Sequence, residues 1–248
     1  MNEFNQQNQR YGQNQPWQQP GDAWGGLQAR TAAQAGLAER LGFVRKVYAL
    51  FFAGILFAVG GVALAFMLPS VLMAPVVEHP YITFFVMIGA VMGAQAVRHT
   101  PVVNLLALFG FTALTGVIIS PFMAWVAWNN PASLLQAGVL TVGIFGGLTA
   151  YVFVSKKDFS FMRGMLTTGL IVVFLAALLN FFLVGSGAFG FAVSCAVLLL
   201  FSGYVLYDTS NIIRRYPTNE YIAGALDLYL DAFNIFLALL RILNAGRR

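Results

Sequence analysis

The sequence predicts an all-α membrane protein with seven transmembrane helices, and three observations support this prediction. Hydrophobic residues make up 59% of the 248-residue chain and charged residues only 9%, whereas soluble domains carry about 25% charged residues. Seven apolar runs each approach the ~20 residues that a helix needs to cross a bilayer core. The net charge is +5, but the basic residues lie between these runs and form no single patch. A nucleic-acid partner is therefore not expected.

Two segments precede the first apolar run. Residues 1–26 are rich in Gln and Asn and contain too little aliphatic surface to fold alone, which predicts a disordered cytoplasmic tail. Residues 27–46 are rich in Ala and Leu and basic towards their end, which predicts an amphipathic juxtamembrane helix lying at the membrane surface. Residues 47–248 are then the transmembrane domain.

Helix packing within that domain is predicted from its small residues. Gly89 with Gly93 and Gly143 with Gly147 are each spaced four apart, which favours close approach of two helix backbones. Pro121 interrupts the third apolar run and predicts a kink there.

The seven predicted spans cover residues 47–67, 81–97, 103–127, 132–154, 164–184, 188–207 and 221–243.

The basic residues predict the orientation. Lysine and arginine occur before the first span and in the second, fourth and sixth loops, but not in the first, third and fifth loops. Because cytoplasmic loops carry the excess of positive charge, the N-terminus is expected to be cytoplasmic. A complete seventh span would put Arg247 and Arg248 on the opposite side, against this rule. The last segment therefore either spans fully, which we favour, or re-enters and returns to the cytoplasm.

Acidic residues in the last span are the strongest indication of function. Asp227, Asp231 and Asn234 follow one another at steps of three or four, so they share one face of a helix whose other faces are apolar. A carboxylate at mid-bilayer costs at least ~2.5 kcal/mol on insertion scales, and such residues are usually functional. The polar face must turn towards protein or water, so the seventh helix is expected to be the axis of the bundle.

A further aspartate, Asp208, lies near the end of the sixth span and shares a face with Tyr204 and Asn211. At 1.5 Å per residue, Asp208 lies about 9 Å inside the membrane and Asp231 about 15 Å, a gap that helix tilt can close. Two carboxylates within hydrogen-bonding distance in a poorly solvated site cannot both ionise cheaply. The pair is expected to hold a shared proton, to titrate as a unit and to act as a pH switch.

Two roles for nearby residues stay open at this point. Arg98 ends the second span on the same side as Asp208, so it either latches Asp208 as a cation or only sets the topology by reaching to the interface. Asp208 and Asp231, with Asn234, offer oxygen ligands to calcium, although three ligands do not make a complete cage.

An enzyme is not expected, and no cofactor or catalytic residue is assigned. An intramembrane aspartyl protease is disfavoured because no Gly-x-Gly precedes Asp227. The sequence also contains no phosphate-binding glycine loop, no nucleophile elbow and no paired Glu and His at metal spacing.

Two blocks of sequence resemble the Bax inhibitor family, also called the transmembrane Bax inhibitor motif family. They are YDT at residues 207–209 and ALDLYLDAFNIF at 225–236, which is followed by LLRIL at 239–243. The resemblance implies six helices around a central C-terminal seventh, with an aspartate pair that senses pH and governs a leak of calcium ions. Carried onto this chain, the pair is Asp208 and Asp231, and Arg98 stands where relatives have the basic residue that latches Asp208.

The resemblance also implies where the chain works and what it contacts. The chain stops at Arg248 without the basic extension of eukaryotic members, which favours a bacterial-type member in the cell inner membrane. The expected partners are the lipid bilayer and calcium ions or protons. Position 227 varies between polar and acidic in relatives, so the role of Asp227 stays open. Some bacterial relatives modulate a membrane-bound protease, and this is the alternative function: a non-transporting interaction protein in protease control or stress response, served by the tail of residues 1–26.

Overall fold

The computed structural model describes residues 31–97, 100 and 102–245, and this part of the chain is all-helical. An isolated antiparallel bridge between Thr31 and Pro217 is the one strand-like pairing in the described residues. The α-helices, in chain order, are α1 Leu37–Met67, α2 Ala74–Glu78, α3 Pro80–Ala96, α4 Val103–Asn129, α5 Pro131–Ser155, α6 Arg163–Leu179, α7 Gly187–Arg214 and α8 Tyr221–Asn244. Two π-helical turns, Pro69–Met73 and Asn180–Val184, and the 3₁₀ turn Ser160–Met162 complete the helical structure.

Six helical segments of the described chain are long and apolar enough to cross a membrane: α1, α4, α5, α7, α8 and the continuous stretch Ser160–Val184 that contains α6. The second predicted span, 81–97, differs from expectation. Its helix α3 has 17 residues and follows Pro69–Glu78 at a bend of 100°, so this pair is either one broken span or a re-entrant loop. The bend occurs where Pro80 begins α3, because proline fits the first turn of a helix but cannot continue one from the preceding turn.

The start of the first span also differs from expectation. The prediction separated a surface helix at 27–46 from a span at 47–67, but α1 runs without a break from Leu37 to Met67. No proline occurs within α1, and the chain reaches its next proline only at Pro69. The basic residues at this end of α1 are therefore part of the same rigid helix as the apolar span.

The last helix is the most buried of the spans. Within its most apolar window, 67% of the residues of α8 are buried, compared with 33% or less for the other spanning helices of the described chain. It packs against α1, α4, α5 and α7. A helix so enclosed by protein has few faces left for lipid, which suits a segment that carries two aspartates.

Close packing of two helices occurs at glycines other than the predicted ones. At Gly89, Gly93, Gly143 and Gly147 an added Cβ would meet nothing within 4 Å, so the prediction of tight packing at these pairs is wrong. These glycines have the right spacing, but they do not face a neighbouring helix. The close contact is instead between α1 and α4, through two glycines that lie against the opposite backbone, Gly61 against Ala113 and Gly116 against Ala58.

Polar contacts hold α8 at its middle and at its end. In the middle, the hydroxyl groups of Tyr229 and Thr115 of α4 share a short hydrogen bond. At the end, the buried Asn244 accepts a hydrogen bond from the amide of Asn130 (3.1 Å) and donates one to the hydroxyl of Ser133 (2.9 Å). We call Asn130, Ser133 and Asn244 the amide cluster. Because buried polar groups are costly when unpaired, these contacts fix the position of α8 against α4 and α5.

The loop after α5 is held by Asp158. Its carboxylate accepts a hydrogen bond from the backbone N–H of Ser160 (2.9 Å) and pairs with the guanidinium of Arg215 (3.0 Å), which also donates to the hydroxyl of Ser160 (2.6 Å). The Ser160 N–H and the Arg215 guanidinium lower the pKa of the Asp158 carboxyl. The loop is thereby tied to the end of α7.

Candidate functional site: the aspartate pair between α7 and α8

The structure brings Asp208 and Asp231 together. Helices α7 and α8 are joined by the short turn 215–220, and such a short connection makes them antiparallel neighbours. Asp208 lies in the last two turns of α7 and Asp231 in the middle of α8. Both side chains are buried, with exposed fractions of 9% and 2%.

The two carboxyl groups lie within hydrogen-bonding reach of each other. An ionised carboxylate can only accept hydrogen bonds, so a hydrogen bond between two carboxyl groups needs a proton on one of them. Asn211, one turn beyond Asp208, also hydrogen-bonds to it. The Oδ2 atom of Asp231 is buried and has no hydrogen-bond partner among the described residues. The arrangement can therefore hold a proton, and it leaves one buried acceptor oxygen without a partner in the described part of the chain.

Asp227 lies beside the pair but is held differently. It is half-buried, one turn before Asp231, and the hydroxyl of Tyr216 donates a short hydrogen bond to its Oδ2 atom. Its charge acts on both Asp208 and Asp231. Tyr204 of α7 likewise interacts electrostatically with both members of the pair. The pair is thus surrounded by one further acid and one phenol, not by a described cation.

Asn234 lies one turn beyond Asp231 and faces a different environment. Its amide donates to the carbonyl of Leu230 in its own helix at 2.7 Å. It lines a cavity of about 870 Å³ with mostly apolar walls, including Phe84, Ile119 and Phe191. The cavity extends along α8 to Asn244, so Asn234 lies between this cavity and the aspartate pair.

Arg98 lies outside the described residues, and the predicted latch to Asp208 stays a prediction. The structure follows α3 to Ala96 and its capping residue Val97. Among the described residues, there is no group of three or more His, Cys, Asp and Glu side chains placed to hold a metal ion.

Sequence reasoning missed a group of buried hydroxyls next to the pair. Tyr48 of α1 lies near Thr149 of α5 and Thr209 of α7, which directly follows Asp208. The three hydroxyl groups are buried, and none makes a hydrogen bond of ordinary geometry in the described part of the chain. Each residue lies in a different span, so no spacing in the sequence indicates that they meet.

Comparison with known proteins identifies relatives along most of the chain. The family described as "Inhibitor of apoptosis-promoting Bax1" matches residues 40–248. An uncharacterised membrane protein of Vibrio cholerae is 43% identical over 165 residues, 66% of this chain and 70% of that protein. Bax inhibitor 1 of Schizosaccharomyces pombe is 33% identical over 86% of this chain and 79% of its own length, and mouse protein lifeguard 4 is 34% identical over 86% and 89%.

These matches agree with the resemblance carried by residues 207–209 and 225–236, which are the segments that hold Asp208 and Asp231. The relatives include a bacterial protein named as a membrane protein, and the chain has several helices that are long and apolar enough to span a bilayer. It is a multi-pass integral membrane protein, and it belongs to the Bax inhibitor family.

Proposed function

We propose that this protein is a pH-sensitive leak channel for calcium, gated by the buried pair Asp208 and Asp231. The observation that carries the proposal is that two carboxyl groups from adjacent helices meet in a buried site within hydrogen-bonding reach. While they share a proton, the hydrogen bond holds α7 against α8. When the proton leaves, two negative charges in a poorly solvated site repel each other and attract a cation.

The architecture proposed for this function has seven spans, with α8 as the central helix. Its support is the burial of α8 and its packing against four other helices. The bent pair Pro69–Glu78 and Pro80–Ala96 would together be the second span. We place the N-terminus in the cytoplasm on the basis of the alternating basic loops. We place the protein in a bacterial inner membrane because its relatives include a bacterial membrane protein.

The route proposed for the ion runs along α8. The cavity of about 870 Å³ extends from Asn244 to Asn234, one helical turn from Asp231. An ion entering it would reach the aspartate pair from the side opposite the predicted cytoplasmic face. In the closed state the pair and its apolar neighbours separate this cavity from the turn 215–220. Arg98 is proposed to stabilise the closed state through Asp208, and Arg98→Gln should favour the open state.

Calcium flux in proteoliposomes tests the proposal. Flux through the wild type should rise as the pH is raised through the titration of the pair, because loss of the shared proton opens the gate. Asp208→Asn and Asp231→Asn should each remove this pH dependence, because an amide cannot titrate. Asp158→Asn is the matched control, since it removes an acid from an exposed loop, and its pH profile should follow that of the wild type.

Two results would count against the gate. Normal titration of flux in both pair variants would show that other groups sense pH. Absence of calcium flux in the wild type would favour the alternative, an interaction protein without transport. Deleting residues 1–26 separates these ideas further, because a channel keeps its flux without the tail whereas a tail-dependent adaptor loses its phenotype.

A further inference from the structure

Four basic side chains surround an open groove at the end of the bundle where α1 begins and α5 and α7 end. The groove has a volume of about 440 Å³. Its basic residues are Arg40 on α1, Lys156 and Lys157 after α5, and Arg214 at the end of α7. They come from three segments that are far apart in the sequence. Charges that served only to set topology would not need to converge on one groove.

The remaining wall of the groove is apolar. Leu37, Leu41 and Val44 of α1 follow the i, i+4, i+7 spacing of one helix face, and Phe153 of α5 also lines the groove. Leu37 and Leu41 are exposed over 74% and 60% of their surface in the described structure. The groove therefore combines a cationic rim with a hydrophobic stripe that follows α1 towards the bilayer.

The position of the rim is fixed by backbone contacts. Lys156 caps α5 in the left-handed conformation, with φ of 51°. The guanidinium of Arg214 donates a short hydrogen bond to the carbonyl oxygen of Lys156, which joins the ends of α5 and α7. The carboxylate of Asp158 is already paired with Arg215 and does not line the groove.

None of the four rim cations forms an ion pair with a carboxylate in the described part of the chain. Arg40 and Arg214 are half-buried, so water screens their charge less than it would on an open surface. Like charges brought together in this way repel each other unless an anion lies between them. The geometry thus favours a negatively charged ligand.

We propose that this groove binds an anionic phospholipid. The headgroup phosphate lies among Arg40, Lys156, Lys157 and Arg214, and one acyl chain runs along Leu37, Leu41 and Val44. Arginine and lysine donors suit phosphate oxygens, and basic pockets between helix ends at a membrane surface attract anionic headgroups. A soluble anion would use the rim but not the apolar stripe. The bound lipid ties the start of α1 to the ends of α5 and α7. Of these helices, α7 carries Asp208.

Native mass spectrometry of the full-length chain in detergent tests this site, with phosphatidylglycerol and phosphatidylcholine as probes. The wild type should retain one phosphatidylglycerol in preference to phosphatidylcholine. Arg40→Gln/Lys157→Gln should weaken phosphatidylglycerol binding by about twentyfold or more, at about fivefold for each charge removed. Arg45→Gln/Arg163→Gln is the matched control, because it removes two exposed cations near the same end that do not line the groove. It should bind as the wild type does.

A charge-preserving variant separates loss of binding from loss of folding. Arg40→Lys/Lys157→Arg keeps both positive charges and should bind phosphatidylglycerol within a few-fold of the wild type. Equal weakening in the test and control variants would overturn the proposal, since it would indicate general surface charge. Equal retention of the two lipids by the wild type would overturn it as well. Displacement of phosphatidylglycerol by millimolar inorganic phosphate would show a soluble-anion site and not a lipid site.

Discussion

A methyl group added at Gly116 should destabilise the contact between α1 and α4. The new Cβ would lie 2.9 Å from the carbonyl carbon of Ala58 and 3.1 Å from the backbone nitrogen of Val62, and closer still to the Ala58 oxygen. Ordinary contacts begin near 3.4 Å, and a helix backbone cannot turn aside as a flexible side chain can. The two helices must therefore move apart. Overpacking costs about 1–3 kcal/mol, against a gain in helix propensity of about 1 kcal/mol, so Gly116→Ala should lower stability by up to about 2 kcal/mol.

Gly143→Ala is the matched control. It makes the same substitution inside a spanning helix, at a position where an added Cβ meets nothing within 4 Å. Only the gain in helix propensity acts there, so the variant should be as stable as the wild type or more stable by up to about 1 kcal/mol. Thermal unfolding in detergent micelles measures both variants against the wild type. Equal changes, or a stabilised Gly116→Ala, would refute the assignment of the close contact to this glycine.

Three other substitutions test contacts away from the aspartate pair. Tyr229→Phe removes one hydrogen bond but leaves Thr115 bonded within its own helix, so unfolding in detergent should show a loss of about 1 kcal/mol. Asn244→Leu leaves the other members of the amide cluster buried with fewer partners and should cost about 1–3 kcal/mol in the same assay. Asp158→Asn should cost no more than about 0.5 kcal/mol, because the side chain is exposed. The pKa of Asp158 is lowered in the folded protein, so the stability that its ion pair contributes is fully present above the ordinary pKa of 3.8. That stability is lost as the pH falls through the lowered pKa. A loss of stability in Asp158→Asn that persisted at low pH would contradict the ion pair.

The spans and the aspartate pair could be predicted because each depends on local spacing. Apolar runs of bilayer length predict helices whatever their partners are. A short turn between the last two spans makes them neighbours, and the positions of Asp208 and Asp231 along them then determine how close they come. The pair could thus be predicted from two helices and one loop.

Other features depend on how helices rotate against one another, which spacing does not determine. Gly89 and Gly143 each have a second glycine four residues away, but they face away from other helices. Gly61 and Gly116 lie against the backbone of the opposite helix although neither has a glycine four residues away. The three buried hydroxyls of Tyr48, Thr149 and Thr209 likewise come from three separate spans. The 100° bend before α3 was not predicted either, although Pro80 marks its position.

The shared proton of Asp208 and Asp231 is the central claim, and infrared difference spectroscopy at neutral pH tests it most directly. The spectrum of the wild type minus that of Asp208→Asn/Asp231→Asn isolates the carboxyl groups of the pair. A carboxylic-acid C=O band in this difference, which disappears as the pH is raised over the range in which calcium flux increases, is the predicted result. A difference spectrum that contains only carboxylate bands at neutral pH would show that both groups are ionised and would contradict the account.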